Sequence, residues 1–133
     1  MRLALPQAVL DTADRQTTGK LGEEMACREL ERRGYAIIAR RFRTRFGEID
    51  IVSDDNGTIV FVEVRARKST YRGSAAESVT ASKQRRIAAM ALDYLARADK
   101  LEARCRFDVV AIDHIGSEDV QLRVITDAFQ VDH

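Results

Sequence analysis

The sequence contains no tryptophan, only one proline and only two cysteines. Because no stretch is rich in proline, nothing marks a linker, and 133 residues suit one compact domain better than two. Cys27 and Cys105 match no metal-ligand spacing, so we expect reduced thiols. No apolar run is long enough to cross a membrane, and residues 1–9 are too weakly apolar for a secretory signal. These absences predict a cytoplasmic protein without a membrane partner.

The sequence also has little excess of either charge, because its positive and negative residues nearly cancel and leave a net charge of only +1. The basic residues are nevertheless clustered, and the acidic residues collect toward the C-terminus. The clusters comprise Arg40, Arg41, Arg43 and Arg45 beside Phe42 and Phe46, and then Arg65, Arg67, Lys68, Arg72, Lys83, Arg85 and Arg86. A basic side on a neutral molecule is typical of a protein that binds phosphate backbones. Solvated surface charge explains either cluster, taken alone, about equally well.

The hydrophobic pattern predicts one α/β domain over residues 18–133, after an N-terminal arm at 1–17 that is loose or a short helix. The expected order is helix, three strands, helix, two strands, which is a mixed β-sheet flanked by helices. The predicted helices are 18–34 and 80–98, and the predicted strands are 35–42, 48–53, 58–65, 107–112 and 120–125. The second helix carries an apolar stripe at Ile87, Met90, Ala91, Tyr94 and Leu95.

The second and third strands form the predicted hairpin that carries the chemistry. If residues 54–57 are a four-residue turn, Glu48 lies opposite Glu63 and Asp50 lies diagonal to it. Strand alternation then places Glu48, Asp50, Glu63 and Arg65 on one face, and Ile49, Ile51, Val60, Val62 and Val64 in a core. Clustered carboxylates repel each other unless a cation such as Mg²⁺ (or Mn²⁺) binds them. The alternative is a solvated face on which Arg65 pairs with Glu63.

The first helix offers a third carboxylate. Glu23 falls within its apolar stripe of Ala26, Cys27 and Leu30, where a charged group needs a partner. If this helix packs beside the hairpin, Glu23 reaches the same metal as the hairpin acids. The competing explanation is a favourable interaction with the positive end of the helix dipole.

These residues resemble a known nuclease pattern. Asp50, followed thirteen residues later by Glu63-Val64-Arg65, resembles the PD-(D/E)xK nuclease core. The wider set of motifs resembles the YraN-like family of bacterial proteins, described as predicted endonucleases distantly similar to archaeal Holliday-junction resolvases. That set comprises Gly19, Gly22, Glu23 and Ala26, then Gly34-Tyr35, residues 47–50, residues 60–65, Lys83 and residues 106–110.

The resemblance implies a restriction-endonuclease-like core and a Mg²⁺-dependent endonuclease acting on DNA, structured or branched rather than sequence-defined. It also implies that Glu23, Asp50 and Glu63 bind the metal, and that a homodimer grips the DNA. Glu48 is expected to be an extra ligand or to orient one. For a dimer contact the sequence offers Leu21 and Met25, although packing under the N-terminal arm is the simpler explanation of both.

One departure from the pattern concerns Arg65, which stands where the superfamily has lysine. Arginine stays charged and can hold a phosphate but cannot act as a general base. Lys83 is the candidate to supply the missing function, and the same helix start offers backbone-phosphate contacts. The predicted nucleic-acid contacts are Lys83, Arg85, Arg86, Arg43 and Arg45, with Tyr71 as a base-stacking candidate. The alternative function is a non-catalytic nucleic-acid-binding or adaptor protein. The role of Asp108 is left open.

Overall fold

The computed structural model describes the backbone of residues 7–131 and the side chains of residues 14–131. Its elements follow the predicted order, with one additional 3₁₀ turn. They are α1 (Gln7–Arg32), β1 (Ala36–Thr44), β2 (Gly47–Asp55), β3 (Thr58–Arg67), the 3₁₀ turn (Ala76–Ser78), α2 (Ala81–Arg97), β4 (Cys105–Asp113) and β5 (Gln121–Phe129). The prediction of an α/β fold with a restriction-endonuclease-like core is confirmed.

The five strands form one sheet in chain order, β1-β2-β3-β4-β5. Only the central pair, β3 and β4, is parallel, which makes the sheet mixed. Parallel neighbours need a crossover connection, and α2 supplies it. One buried cluster contains residues of α1 and the other contains residues of α2, so helices cover both faces of the sheet.

Helix α1 begins earlier than the sequence predicted. It starts at Gln7 rather than at residue 18, so most of the predicted arm continues the helix, and residues 1–6 lie outside the described part. Its end is as predicted, because Gly34 adopts a φ of 95° and the N–H of Tyr35 donates to the carbonyl of Leu30. Its apolar stripe is buried as expected (Ala26, Cys27, Leu30).

A glycine lets α1 lie close to the sheet. A Cβ built on Gly22 would come within 2.9 Å of the Cβ of Ala66 on β3. Any larger residue at this position would push the helix and strand apart. Because Gly22 has no side chain, α1 lies close enough to place the next residue, Glu23, beside the start of β2 and the end of β3.

The hairpin between β2 and β3 closes with a two-residue turn, so the predicted four-residue turn is wrong. Asp55 pairs with Thr58 and Ile51 pairs with Val62. Asn56 and Gly57 both have positive φ, 51° and 94°, which favours the short hairpin turn that Asn-Gly forms. The predicted alignment of Glu48 with Glu63 fails for this reason.

The predicted apolar face of the hairpin is confirmed for Ile51, Val60, Val62 and Val64, which pack in one cluster beside α1, but it is wrong for Ile49. Ile49 packs with the α2-side cluster, whereas Ile51, two residues later, packs with the α1-side cluster. Strand alternation is therefore broken at Asp50, and Arg41 on the adjacent strand β1 has a φ of 52°. Because helices cover both faces, the hairpin buries apolar residues on both, including Phe61.

Helix α2 agrees with its prediction. Its N-cap is Thr80, whose hydroxyl accepts from the backbone N–H of Lys83 at 3.3 Å. The stripe of Ile87, Met90, Ala91 and Leu95 is buried, and Tyr94 packs beside it. The cap fixes where the first turn begins, so it places Lys83 toward the end of β3.

Candidate active site

Two carboxylates lie on neighbouring strands at the end of the sheet where β2 begins and β3 ends. Asp50 Oδ2 accepts a hydrogen bond of 2.8 Å from the backbone N–H of Val64. Glu63 has a side chain only 15% exposed, and its Oε1 lies 3.7 Å from Nη1 of Arg65. We call Asp50 and Glu63 the acidic pair.

The environment of the acidic pair disfavours two negative charges. Burial raises the pKa of Asp50 to about 6, and the nearby charges of Glu23 and Glu48 act in the same direction. Burial and the charge of Asp50 raise the pKa of Glu63 to about 7. The N–H of Val64 and the charge of Arg65 oppose the first shift, and Arg65 also opposes the second. A divalent cation would relieve this repulsion, so the two carboxylates suit Mg²⁺, which takes one or two carboxylates with water and phosphate oxygens.

The other two predicted metal ligands are bound by arginines of β1. Nε of Arg41 donates to both oxygens of Glu23, at 3.0 and 3.2 Å. Nη2 of Arg43 donates to Glu48 at 2.9 Å. Within the described residues, no group of three or more His, Cys, Asp or Glu side chains is arranged to hold a metal ion. The assignment of Asp50, Glu63, Glu23 and Glu48 as metal ligands stays a prediction.

A cleft of about 540 Å³ opens beside Asp50, between α1 and the end of β3. Its acidic side chains include Glu23 and Asp50, and its cations include Arg65, Arg67 and Lys68, of which Lys68 forms an ion pair with Asp14. A cleft lined by both carboxylates and cations suits a phosphodiester beside a metal ion.

The two cations assigned to the phosphate meet at one serine. Nε of Arg65 donates to Oγ of Ser78 at 2.8 Å, and Nζ of Lys83 donates to the carbonyl oxygen of Ser78 at 3.1 Å. Burial lowers the pKa of Lys83, and the charge of Arg65 lowers it further while Glu63 opposes the shift. Lys83 thus lies within electrostatic reach of both Glu63 and Arg65.

Sequence reasoning missed the loop that carries this serine. Ser78 is buried, and its hydroxyl donates to the carbonyl of Ala75. The N–H of Ala75 in turn donates to Oδ1 of Asp113 at 2.8 Å, at the end of β4. Small polar residues in a loop gave no signal of this role, because the contact depends on the parallel pairing of β3 and β4.

The remaining predicted nucleic-acid contacts lie on exposed surface. Arg85 and Arg86 are exposed in the first turns of α2. The positive charge of Arg86 opposes the rise in the pKa of Glu63. Arg43 and Arg45 flank the turn between β1 and β2, where the side chain of Arg43 is 83% exposed. Tyr71 is 92% exposed.

Asp108, whose role the sequence left open, is part of a buried polar network. It accepts from the hydroxyl of Tyr35 at 2.9 Å, from Nε of Arg106 at 3.0 Å and from the backbone N–H of Asp127 at 2.9 Å. Arg106 also binds Asp55 at 2.8 Å. The network ties β1, β2, β4 and β5 together, which is a structural role.

A five-stranded mixed sheet between two helices, with acids where β2 begins and β3 ends, defines a protein with a restriction-endonuclease-like fold. The chain belongs to the Uncharacterised protein family UPF0102, whose profile matches residues 22–112. This confirms the resemblance to the YraN-like family and its PD-(D/E)xK-like core. A UPF0102 protein of Ralstonia pickettii is 50% identical over 86% of this chain and 91% of its own length. Another, from Symbiobacterium thermophilum, is 45% identical over 84% of this chain and 94% of its own length.

The described residues include no helix that is both long and apolar enough to span a membrane.

Proposed function

We propose that this protein is a metal-dependent endonuclease that hydrolyses phosphodiester bonds in DNA in the cytoplasm. One observation carries the proposal: Asp50 and Glu63 are buried together with raised pKa values, beside a cleft walled by cations. A fold gains no stability from such a pair, whereas a Mg²⁺ or Mn²⁺ ion bound by both carboxylates would stabilise it.

The acidic pair would hold the metal. A bound Mg²⁺ would supply Lewis acidity toward the phosphate and lower the pKa of a water molecule. Glu23 would join the ligands only after leaving Arg41, which now holds both of its oxygens. Glu48 would orient a ligand or add one.

Arg65 and Lys83 together supply the two roles of the lysine in the superfamily pattern, which are to neutralise the phosphate and to transfer a proton. Arg65 remains charged and is fixed by Ser78, so it neutralises the scissile phosphate. Lys83 has a lowered pKa and gives up its proton more readily than an exposed lysine. It is therefore the residue of this chain suited to proton transfer near the acidic pair.

Binding to the DNA backbone would involve exposed arginines on both sides of the acidic pair. Arg85 and Arg86 stand near the start of α2, and Arg43 and Arg45 flank the turn between β1 and β2. Contacts of this kind give affinity that depends on salt and little on base sequence. A preference for branched DNA and a homodimer are further proposals that rest on the family resemblance. Of the two residues offered for a dimer contact, Met25 packs against the core and Leu21 is 44% exposed.

The test is cleavage of a labelled DNA panel with Mg²⁺ or Mn²⁺, comprising a four-way junction, a flap, a single strand and a linear duplex. We expect the wild type to cut at least one member and Asp50→Asn to cut none. Asp54→Asn is the matched control, because Oδ1 of Asp54 only accepts the N–H of Gly57 in the turn. Cleavage retained by Asp50→Asn at the wild-type rate would refute the proposal.

The second candidate is a non-catalytic DNA-binding or adaptor protein on the same scaffold. Arg65 in the place of lysine favours it, as does the lack of a three-acid cluster among residues 14–131. This candidate predicts DNA binding without cleavage under either metal, with an affinity unaffected by divalent ions and by Asp50→Asn.

A further inference from the structure

The turn between β1 and β2 presents an exposed aromatic ring. Phe46 is 41% exposed, and the guanidinium carbon of Arg45 lies 4.7 Å from the centre of its ring. We call residues 44–47 the hairpin tip. An exposed phenylalanine has no hydrogen-bonding group of its own, so what it offers a ligand is a stacking surface.

The hairpin tip is held in a fixed conformation. Thr44 is buried, its hydroxyl donates to the carbonyl of Gly47 at 2.8 Å, and the same oxygen accepts the N–H of Phe46 at 3.0 Å. Nη2 of Arg97 on α2 donates to the carbonyl of Arg43 at 3.3 Å. These contacts fix the backbone that carries the ring, so binding costs little ordering.

Phe46 forms one wall of a second cleft, of about 530 Å³, against α2. Ala89 and the 46% exposed Leu92 supply its apolar surface. Arg45 and Arg97 stand at this cleft with one acid, Asp93, which is bound to Arg97. The surface thus combines an apolar slot with a positive rim, which favours a ligand with a flat ring and a negative charge.

The slot lies at the same end of the sheet as the acidic pair. Phe46 directly precedes β2, on which Asp50 lies, and Ala89 is one helical turn beyond Arg86, whose charge acts on Glu63. A strand whose phosphate lay at the acidic pair, and which ran along β2 toward its first residue, would bring neighbouring nucleotides to the hairpin tip.

We propose that Phe46 stacks on an unpaired base of the bound DNA, and so selects substrates with unpaired bases near the cleaved bond. The proposal rests on the proposed function. Stacking on an aromatic side chain is tolerant of sequence, because every base has a π face. A fully paired duplex offers no such face away from its ends. Tyr71, the candidate from the sequence, is 92% exposed, whereas Phe46 forms a slot with α2.

Fluorescence tests the stacking directly. The chain contains no tryptophan, so Phe46→Trp places a single reporter at the slot. We expect quenching on binding a duplex with a single-stranded tail, in a buffer with EDTA, and no quenching with a long blunt-ended duplex of the same length, which is fully paired. Val120→Trp is the matched control, since Val120 is also exposed and precedes β5, which is the edge of the sheet opposite to β1. Equal quenching by both DNAs, or quenching in neither, would overturn the proposal.

Affinity gives the second readout. Phe46→Ala should weaken binding to the tailed duplex by roughly five- to a hundred-fold and leave binding to the paired duplex unchanged. Phe46→Tyr should restore the preference. An equal loss on both DNAs, or a dimer that dissociates in Phe46→Ala, would assign Phe46 to another role. If the wild type binds neither DNA, the proposed function fails as well; if it binds and cleaves DNA with Phe46→Ala unchanged, only this inference fails.

Discussion

The backbone N–H of Val64 holds the carboxylate of Asp50 by a hydrogen bond of 2.8 Å. This contact joins β3 to β2 one step beyond their last regular pair, Ile51 with Val62, at the point where β2 loses its alternation. The main chain, not another side chain, therefore fixes where Asp50 lies. Because an amide oxygen can accept the same N–H, Asp50→Asn removes the charge and keeps the contact.

We predict that Asp50→Asn stabilises the metal-free protein at pH 8. The folded-state pKa of Asp50 is raised to about 6 from 3.8, so its protonation favours the folded state. The protonated carboxyl of Asp50 stabilises the folded state fully below about pH 4, and this stabilisation is lost as the pH rises through about 6. Asparagine avoids that loss, which is roughly 3 kcal/mol for a pKa that rises from 3.8 to about 6.

Urea unfolding with EDTA at pH 4 and pH 8 measures the effect. The gain of Asp50→Asn over the wild type should be present at pH 8 and absent at pH 4. Glu63→Gln should show the same dependence on pH. The stabilisation from a protonated Glu63 in the wild type is lost as the pH rises through about 7. A gain of the same size at both pH values would show that the pKa of Asp50 is not raised in the folded protein.

We predict that Arg41→Asn strengthens Mn²⁺ binding by roughly two- to five-fold, because Arg41 holds both oxygens of Glu23 away from a cation. Asparagine suits the positive φ of residue 41. Calorimetric titration of the variant measures the change. In the double variant with Glu23→Gln the gain should vanish; if it persists, Glu23 is not a ligand.

We predict that Gly22→Ala destabilises the protein by about 1–3 kcal/mol, because the new methyl group would meet Ala66 at 2.9 Å and push α1 from β3. Gly19→Ala on the same helix is the control. No atom lies within 4 Å of its Cβ position, so alanine should be neutral or stabilise the helix. Thermal unfolding compares the two, and equal effects would contradict the close approach.

We predict that Asp108→Ala costs about 3 kcal/mol of folding free energy, since it leaves Arg106 and Tyr35 without a shared buried partner. Tyr35→Phe removes two hydrogen bonds of the network, one to Asp108 and one from Arg106, and should cost about 1–2 kcal/mol. Both variants should bind Mn²⁺ as the wild type does. A weakened metal site in a variant that still folds would show that this network reaches the acidic pair.

The order of the helices and strands could be predicted from the sequence, because the local signals in the chain agree with the fold. The stripe on α2, the glycine that ends α1 and the Asn-Gly turn each depend on neighbours in the chain. The face of Asp50 did not follow, because its placement depends on a break in alternation shared with Arg41 on another strand. Ser78 and Asp113 were missed for a related reason: their contact exists only once β4 lies beside β3.

The attachment of the Ser78 loop to Asp113 has a consequence for biosynthesis. The acidic pair and Glu23 leave the ribosome early, but the loop that fixes Arg65 and Lys83 is anchored on the last residue of β4. The Ser78 loop can therefore be anchored only after translation has passed residue 113. An unfinished polypeptide carries the acidic pair without the anchored loop whose serine contacts Arg65 and Lys83.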